Sequence, residues 1–132
     1  MRAAALSLGV VAGLVGLVLL YTPQQAQRGR KLFTESCAVC HGPAGDGGRV
    51  PQRFGALAGR RVPPVVGPNA LASFQTASDL FRYAQQRMPL DDPGSLTDEQ
   101  YLAVTAWLLE QAAVEANGEP LTPESAAQVP IR

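Results

Sequence analysis

The sequence predicts an all-α domain, and two observations support that prediction. Apolar residues recur with helical spacing in three segments, each of which begins with a capping signal, and no segment shows the strict apolar and polar alternation of a half-buried strand. The chain has 132 residues, and single domains commonly have about 100 to 150. We therefore expect one helical domain over residues 22–117, preceded by an N-terminal segment (1–21) and followed by a tail (118–132).

The N-terminal segment contains an uncharged, apolar run over residues 3–21, directly after Arg2. At about 1.5 Å per residue, this run is about long enough to cross a hydrocarbon core of roughly 30 Å. Signal-peptide cores are usually shorter and end at an Ala-x-Ala-like cleavage site, which residues 22–26 do not offer. We expect an uncleaved transmembrane helix, with a cleaved signal segment as the alternative.

The first helix of the domain is predicted over residues 22–36. Thr22 suits its N-cap position, and Gln25 occupies the capping-box position three residues later. Gly29 and Phe33 are four residues apart and therefore lie on one face of this helix. A small residue beside an aromatic one predicts that another helix crosses closely at this point.

Residues 42–67 are rich in glycine, proline and arginine and predict a long loop. Loops of this length in small domains are usually functional or disordered. Thr76 begins a second predicted helix that reaches about Arg87. It ends before Met88 and Pro89, because the residue that precedes a proline is disfavoured in helical geometry.

The third helix begins with a second capping box at Thr97. Tyr101, Val104 and Leu108 form its apolar stripe. Asn117 and Gly118 suit a helix C-terminus and predict that it ends there. The tail, residues 118–132, contains three of the prolines and is predicted to lie along the surface.

Cys37, Cys40 and His41 form a Cys-x-x-Cys-His motif, which is typical of covalent attachment of c-type haem. Two thioether bonds hold the macrocycle against the peptide, and the next side chain reaches the iron. His41 is the only histidine of the chain. We therefore expect one haem c, bound covalently through Cys37 and Cys40 and ligated at the iron by His41.

Three other interpretations of the motif remain open. A dithiol redox site expects a βαβ context, which the surrounding sequence lacks. A structural zinc site needs four ligands, whereas two cysteines and one histidine supply three. A disulfide would leave His41 unexplained.

Met88 is the candidate for the second axial ligand. It is the only methionine besides the initiator, and it lies 47 residues after His41. Without the motif, a lone methionine would be read as core filler. Axial His and Met together raise the reduction potential of haem iron, which suits an electron carrier. The alternative is a haem enzyme or gas sensor whose sixth coordination position is open or weakly held.

The charges are balanced overall but segregated along the chain. Eleven basic and eleven acidic residues give a net charge of zero, which offers no support for nucleic-acid binding. Residues 28–61 carry seven basic and two acidic side chains, and residues 79–124 carry two basic and nine acidic ones. Such a distribution can orient a charged redox partner, or it can be a solvated surface. Arg60 and Arg61 are candidate donors to haem propionates.

The motif and its context resemble the class I single-haem c-type cytochromes over residues 24–117. Gly29 and Phe33 match the first helix of that family, and Val104 and Trp107 match its last helix. Residues 64–67 resemble the family's Pro-x-Leu-x-Gly loop, with valine in place of leucine. The resemblance implies a small cytochrome c fold around one haem, with iron held by His41 and Met88, that transfers electrons and is not an enzyme.

A narrower similarity, over residues 74–81, 88–97 and 116–118, is to cytochromes that accompany periplasmic dehydrogenases. It implies that the partners are redox proteins: a dehydrogenase or quinol-oxidising complex as donor, and a terminal oxidase or another cytochrome as acceptor. The resemblance to c-type cytochromes, together with the apolar N-terminal run, implies attachment to a bacterial inner membrane with the haem domain on the periplasmic face, or a periplasmic location if the N-terminus is cleaved.

Overall fold

A computed structural model of the chain describes residues 20–131. The all-α prediction is confirmed for these residues, because the only regular strands among them are two residues long and form one antiparallel pair. In chain order, the described elements are α1 (Pro23–Ser36), α2 (Ala38–His41), β1 (Gly48–Arg49), a 3-10 helix (Gln52–Leu57), β2 (Arg61–Val62), α3 (Ala77–Arg87), α4 (Asp98–Gln111) and α5 (Pro123–Ala126).

The predicted membrane anchor lies outside the described residues, apart from Leu20 and Tyr21. Among residues 20–131, no helix combines the length and the apolar character that crossing a bilayer requires. Tyr21 is 2% exposed and belongs to the core of the domain. Its hydroxyl donates to the Val114 carbonyl, so the end of the apolar run is fixed to the residues that follow α4.

The first helix begins at its predicted cap, Thr22, but the Gln25 side chain bonds a different residue from the one predicted. The Thr22 hydroxyl accepts a hydrogen bond from the Gln25 backbone N–H at 3.0 Å. The Gln25 side chain does not complete a capping box. It bonds both backbone groups of Leu121 instead: Nε2 donates to the carbonyl at 2.9 Å and Oε1 accepts from the N–H at 2.7 Å. Gln25 is buried, and these two hydrogen bonds connect α1 to the C-terminal segment.

The predicted close crossing occurs between α1 and α4. A Cβ atom at Gly29 would lie 1.8 Å from the Ala103 carbonyl oxygen. No side chain fits at that distance, so only glycine allows the two backbones to approach as they do. The Phe33 ring packs on Trp107 with 4.5 Å between ring centroids. This crossing fixes the direction in which α1 delivers the chain to α2.

Helices α3 and α4 begin directly after Thr76 and Thr97, as predicted, and the predicted capping box at Thr97 is present. Thr76 also forms a capping box, with Asp79. The predicted end of α4 at Asn117 and Gly118 is wrong, because α4 ends at Gln111. Ala113 adopts the left-handed conformation, with φ of 62°. The following N–H, of Val114, bonds the Leu109 carbonyl at 3.0 Å. This is the Schellman arrangement with alanine in the place that glycine usually takes.

The prediction that the C-terminal tail lies along the surface is also wrong. Leu121, Ala126 and Val129 are each at most 2% exposed and join the main core cluster. The tail also pairs with the start of α3: the Ala77 N–H bonds the Val129 carbonyl at 2.9 Å. These apolar residues follow no helical or strand period, so their burial has no periodic signature in the sequence.

A second core cluster supports the motif. Phe33, Leu71, Leu80, Val104, Trp107 and Leu108 are its buried members, and partly buried Cys37 and Ala38 pack against it. The loop residues Val65 and Val66 pack on the same cluster. Cys37, the first residue of the motif, is therefore held against α1, α4 and the loop that precedes α3.

We expect Gln25→Ala to lower the free energy of unfolding by about 2 to 4 kcal/mol, because the buried Leu121 N–H and carbonyl would both lose their partner. Urea unfolding of the haem-loaded protein measures this change. Gln24→Ala is the matched control, since Gln24 is exposed on the same turn, and should change the free energy by less than about 0.5 kcal/mol. Equal effects of both variants would contradict the assigned role of Gln25.

Candidate functional site

One turn of helix carries the three motif side chains. Cys37 ends α1, where its N–H bonds the Phe33 carbonyl at 2.8 Å, and it is also the N-cap of α2. The His41 N–H bonds the Cys37 carbonyl at 2.9 Å. The two thiols and the imidazole thus project from a single rigid turn, and neither thiol forms a disulfide.

His41 is oriented by the Pro63 carbonyl, whose oxygen lies 3.3 Å from Nδ1. A carbonyl only accepts hydrogen bonds, so Nδ1 carries the proton and the lone pair of Nε2 is free to bind iron. Burial lowers the pKa of His41, although the bond to Pro63 acts in the opposite direction. The ring is therefore neutral at pH 7, as a ligating imidazole must be.

The partner of Nδ1 belongs to the long loop that the sequence predicts over residues 42–67. Ligating histidines usually donate their second ring N–H in this way. The loop that supplies the carbonyl is itself fixed, because the Gly47 N–H bonds the His41 carbonyl at 2.8 Å. The Gly45 carbonyl in turn accepts from the N–H groups of Val65 and Val66 at 2.8 and 3.0 Å.

Both thiols are held in the protonated form. Burial, with a smaller effect of Cys40, raises the pKa of Cys37 to about 11. Burial and the nearby Asp91 carboxylate raise the pKa of Cys40, and the Arg53 guanidinium acts against them. Reactive dithiols need the thiolate form at neutral pH, so these environments do not favour a dithiol redox site.

The described residues also lack the ligand set of a zinc site. Nowhere in residues 20–131 do three His, Cys, Asp or Glu side chains converge on a common point. Structural zinc sites use four such ligands in tetrahedral geometry. The motif therefore does not have the surroundings that a structural zinc ion would need.

The surroundings of the motif fit a large apolar cofactor. Leu32, Ala38, Val65, Val66 and Phe74 are only partly buried, although they pack against the second core cluster. Cofactor sites are mostly apolar with a few placed polar groups. Here the polar groups are the imidazole and the two thiols, which are the donor set that covalent haem requires.

Met88 lies on a different element from the motif. It ends α3 in an extended conformation and is half-buried. Its N–H bonds the Ala84 carbonyl at 2.9 Å, and its carbonyl accepts from the Tyr101 hydroxyl at 2.6 Å. Asp91, three residues later, is close enough to Cys40 to act on its thiol. The segment that follows α3 therefore returns to the motif.

Tyr101 has a role that the sequence did not reveal. The stripe pattern predicted an apolar core residue, and the ring is indeed only 3% exposed. Its hydroxyl also accepts from the Leu96 N–H at 3.5 Å, so it holds both ends of the segment 88–96. A buried tyrosine hydroxyl usually has a hydrogen-bond partner. That rule signals a polar contact but does not identify it.

The chain is similar to known proteins in family, sequence and structure. Residues 24–108 match the family described as cytochrome c oxidase, cbb3-type, subunit III. The thiosulfate dehydrogenase of Stutzerimonas stutzeri (strain A1501) is 31% identical over 84 residues, which are 61% of this chain and 25% of that protein. The chain thus spans about a quarter of the length of this relative.

The structure of the sulfane dehydrogenase SoxCD from Paracoccus pantotrophus is similar in fold. The TM-score is 0.54 at 19% identity, and the match covers 98% of this chain and 68% of that one. At this level of identity the likeness concerns the fold.

We expect Tyr101→Phe to lower the free energy of unfolding by about 1 to 3 kcal/mol, because the Met88 carbonyl loses its donor. Hydrogen exchange of the Leu96 amide should become faster in the variant. Tyr83→Phe is the control, since Tyr83 is 46% exposed, and should change neither quantity. Unchanged exchange at Leu96 in Tyr101→Phe would exclude a role of the hydroxyl in holding this segment.

Proposed function

The chain belongs to the family described as cytochrome c oxidase, cbb3-type, subunit III, and on that premise we propose that it relays single electrons between redox proteins. It is a cytochrome c domain with covalently bound haem c, as the motif predicted. The single observation that carries the proposal is the helical turn that presents Cys37, Cys40 and His41 together, with the imidazole Nδ1 of His41 3.3 Å from the Pro63 carbonyl oxygen.

Each site residue has one role in this proposal. Cys37 and Cys40 hold the haem through thioether bonds, and both sulfur atoms are then unavailable for other chemistry. His41 binds the iron through Nε2, with its ring plane set by the Pro63 carbonyl. Met88 would supply the second protein ligand of the iron, and Tyr101 holds its backbone in place. When bound, the haem supplies a one-electron couple between ferrous and ferric iron.

Two protein ligands on one iron leave no coordination position for a substrate. The site residues then bind, orient and shield the cofactor and move no proton. This is the reason for proposing a carrier instead of an enzyme. Val65, Val66 and Phe74 are apolar and pack against the second core cluster, and they would shield a bound haem from water, which favours a high potential.

We propose a dehydrogenase as the electron donor. The supporting observation is the 31% identity to a thiosulfate dehydrogenase, in which the matching region is a quarter of the protein. An enzyme that oxidises sulfur compounds is therefore the first donor to test, and a quinol-oxidising complex is the second. The proposed acceptor is a terminal oxidase or another cytochrome.

The proposed location is a bacterial inner membrane, with the apolar N-terminal run as a single span and the haem domain on the periplasmic face. The run ends at Tyr21, which is packed in the core, and the Leu20 N–H bonds the Asn117 side-chain oxygen at 3.0 Å. A span that ends there would join the domain without a flexible linker. A periplasmic location after cleavage is the alternative.

We expect Met88→Ala to lower the reduction potential by on the order of 100 mV, since axial ligands tune haem potentials over roughly 0.8 V. The ferrous variant should also bind carbon monoxide, which the unmodified protein should resist. Leu90→Ala, a nearby exposed position, is the control and should do neither. Potentiometry and the reduced-minus-oxidised spectrum measure both effects.

Two outcomes would contradict this assignment. An unchanged potential and spectrum in Met88→Ala would show that another group binds the iron. Ready binding of carbon monoxide to the unmodified ferrous protein would favour a haem enzyme or gas sensor over a carrier.

The intact mass of protein extracted from membranes tests cofactor attachment and the N-terminus together. We expect the mass of the full chain plus one haem, because the segment after the apolar run offers no cleavage site. A shorter chain that carries haem, recovered without detergent, would show instead that the N-terminus is a cleaved signal.

A further inference from the structure

Four arginines lie on one hairpin, residues 48–62, which we call the arginine hairpin. Its sequence contains no acidic residue, so its formal charge is +4. Strands β1 and β2 form its paired part, and the 3-10 helix forms its tip. The four residues are Arg49, Arg53, Arg60 and Arg61.

The positive charge of this hairpin is not neutralised within the described residues. The register of the strands places Arg49 directly opposite Arg61, and like charges in opposed positions destabilise a strand pair. Arg49 donates to the Gly59 carbonyl at 3.1 Å, and Arg53 lies over the Phe54 ring at 4.9 Å. These partners are uncharged. Between residues 20 and 131, the ion pair that occurs is Lys31–Glu35.

The arginine hairpin is attached to the motif. The Gly47 N–H bonds the His41 carbonyl at 2.8 Å. A Cβ atom at Gly48 would lie 3.1 Å from the Cys40 carbonyl oxygen. Arg53 also acts electrostatically on the Cys40 thiol. The unpaired positive charge therefore stands beside the turn that holds the cofactor.

Apolar and acidic residues complete the surface around Cys40. Val39 and Leu90 are 39% and 43% exposed, and they are two of the three large apolar side chains exposed in the described residues. Asp91, next to Leu90, raises the pKa of the Cys40 thiol, and Arg53 lowers it. An apolar centre with a charged rim is the usual organisation of a protein interface.

We propose that the arginine hairpin, Val39 and Leu90 form the docking surface for a protein redox partner that presents carboxylates to the four arginines and an apolar centre to Val39 and Leu90. The proposal rests on the electron-transfer function. Arginine suits this task because its guanidinium binds carboxylates bidentately. Asp91 and Asp92 carry the opposite charge, so the surface has a polarity that fixes the orientation of the partner.

The test compares two variants with the same change in net charge, both in the full-length, haem-loaded protein. Arg49→Glu combined with Arg61→Glu reverses charge on the hairpin. Arg28→Glu combined with Arg30→Glu reverses it on exposed positions of α1. Arg49→Gln with Arg61→Gln serves as a milder variant if the first fails to fold.

The first measurement is the rate at which the reduced protein gives one electron to a small oxidant. Hexacyanoferrate(III) is an anion, and tris(phenanthroline)cobalt(III) is a cation. We expect the anion-to-cation rate ratio to fall about fivefold or more in the hairpin variant at an ionic strength of about 0.1 M, and less than about twofold in the α1 variant, since charges farther than a Debye length of about 10 Å are then largely screened.

The second measurement uses a hexaglutamate peptide as the probe for an acidic protein surface. In NMR titrations, we expect its chemical-shift changes to be confined to residues 48–62 and the neighbourhood of Val39 in the unmodified protein. They should be lost in the hairpin variant and retained in the α1 variant.

Three outcomes would overturn the proposal. Equal rate changes in both charge-reversed variants would show an effect of net charge alone. A fall in the anion-to-cation rate ratio of the hairpin variant, without peptide binding to the unmodified protein, would indicate a surface for small anions. A changed reduction potential or haem loss with an unchanged rate ratio would show that the arginines neutralise haem propionates. Failure of the relay function itself is read separately, from the spectrum and carbon monoxide binding.

Discussion

The close approach of α1 and α4 at Gly29 is the constraint on which the rest of the structure depends. The Ala103 carbonyl occupies the space where any side chain at Gly29 would stand, and Phe33 packs on Trp107 one turn later. Because α2 follows α1 with only Cys37 between them, the crossing also sets the place of both thiols and of His41. A displacement of α1 would move the whole cofactor attachment.

The two candidate axial ligands are held by separate parts of the chain. His41 depends on the Pro63 carbonyl and hence on a loop fixed by backbone hydrogen bonds. Met88 depends on Tyr101, which belongs to α4. Helix α4 therefore supports both candidate ligands. It supports His41 through its contact with α1, and it supports Met88 through the Tyr101 hydroxyl. In the proposed ligation, such a division would hold the iron rigidly and keep the rearrangement that accompanies electron transfer small.

The C-terminal segment closes the fold at the end of α1 opposite the motif. Gln25 bonds Leu121 twice, and Tyr21 bonds Val114. The apolar N-terminal run thus meets the domain at a well-packed corner, while the arginine hairpin and the motif lie at the far end of α1. A membrane attachment and a docking surface at different ends of one helix would not compete for the same space.

The sequence by itself determined the helical class and the starts of α1, α3 and α4. It also determined the close helix crossing at Gly29 and Phe33, and the motif that identifies the cofactor as haem c. These features are local, since caps, spacing and a five-residue motif need no knowledge of distant residues. Only the tertiary structure decided that Pro63 orients His41, that Tyr101 holds Met88, that Ala113 ends α4 and that Leu121 and Val129 are buried. Each of these features depends on contacts between residues that are distant in the sequence. The contact partners of a buried group are set by the tertiary fold and are not determined by its neighbours in the sequence.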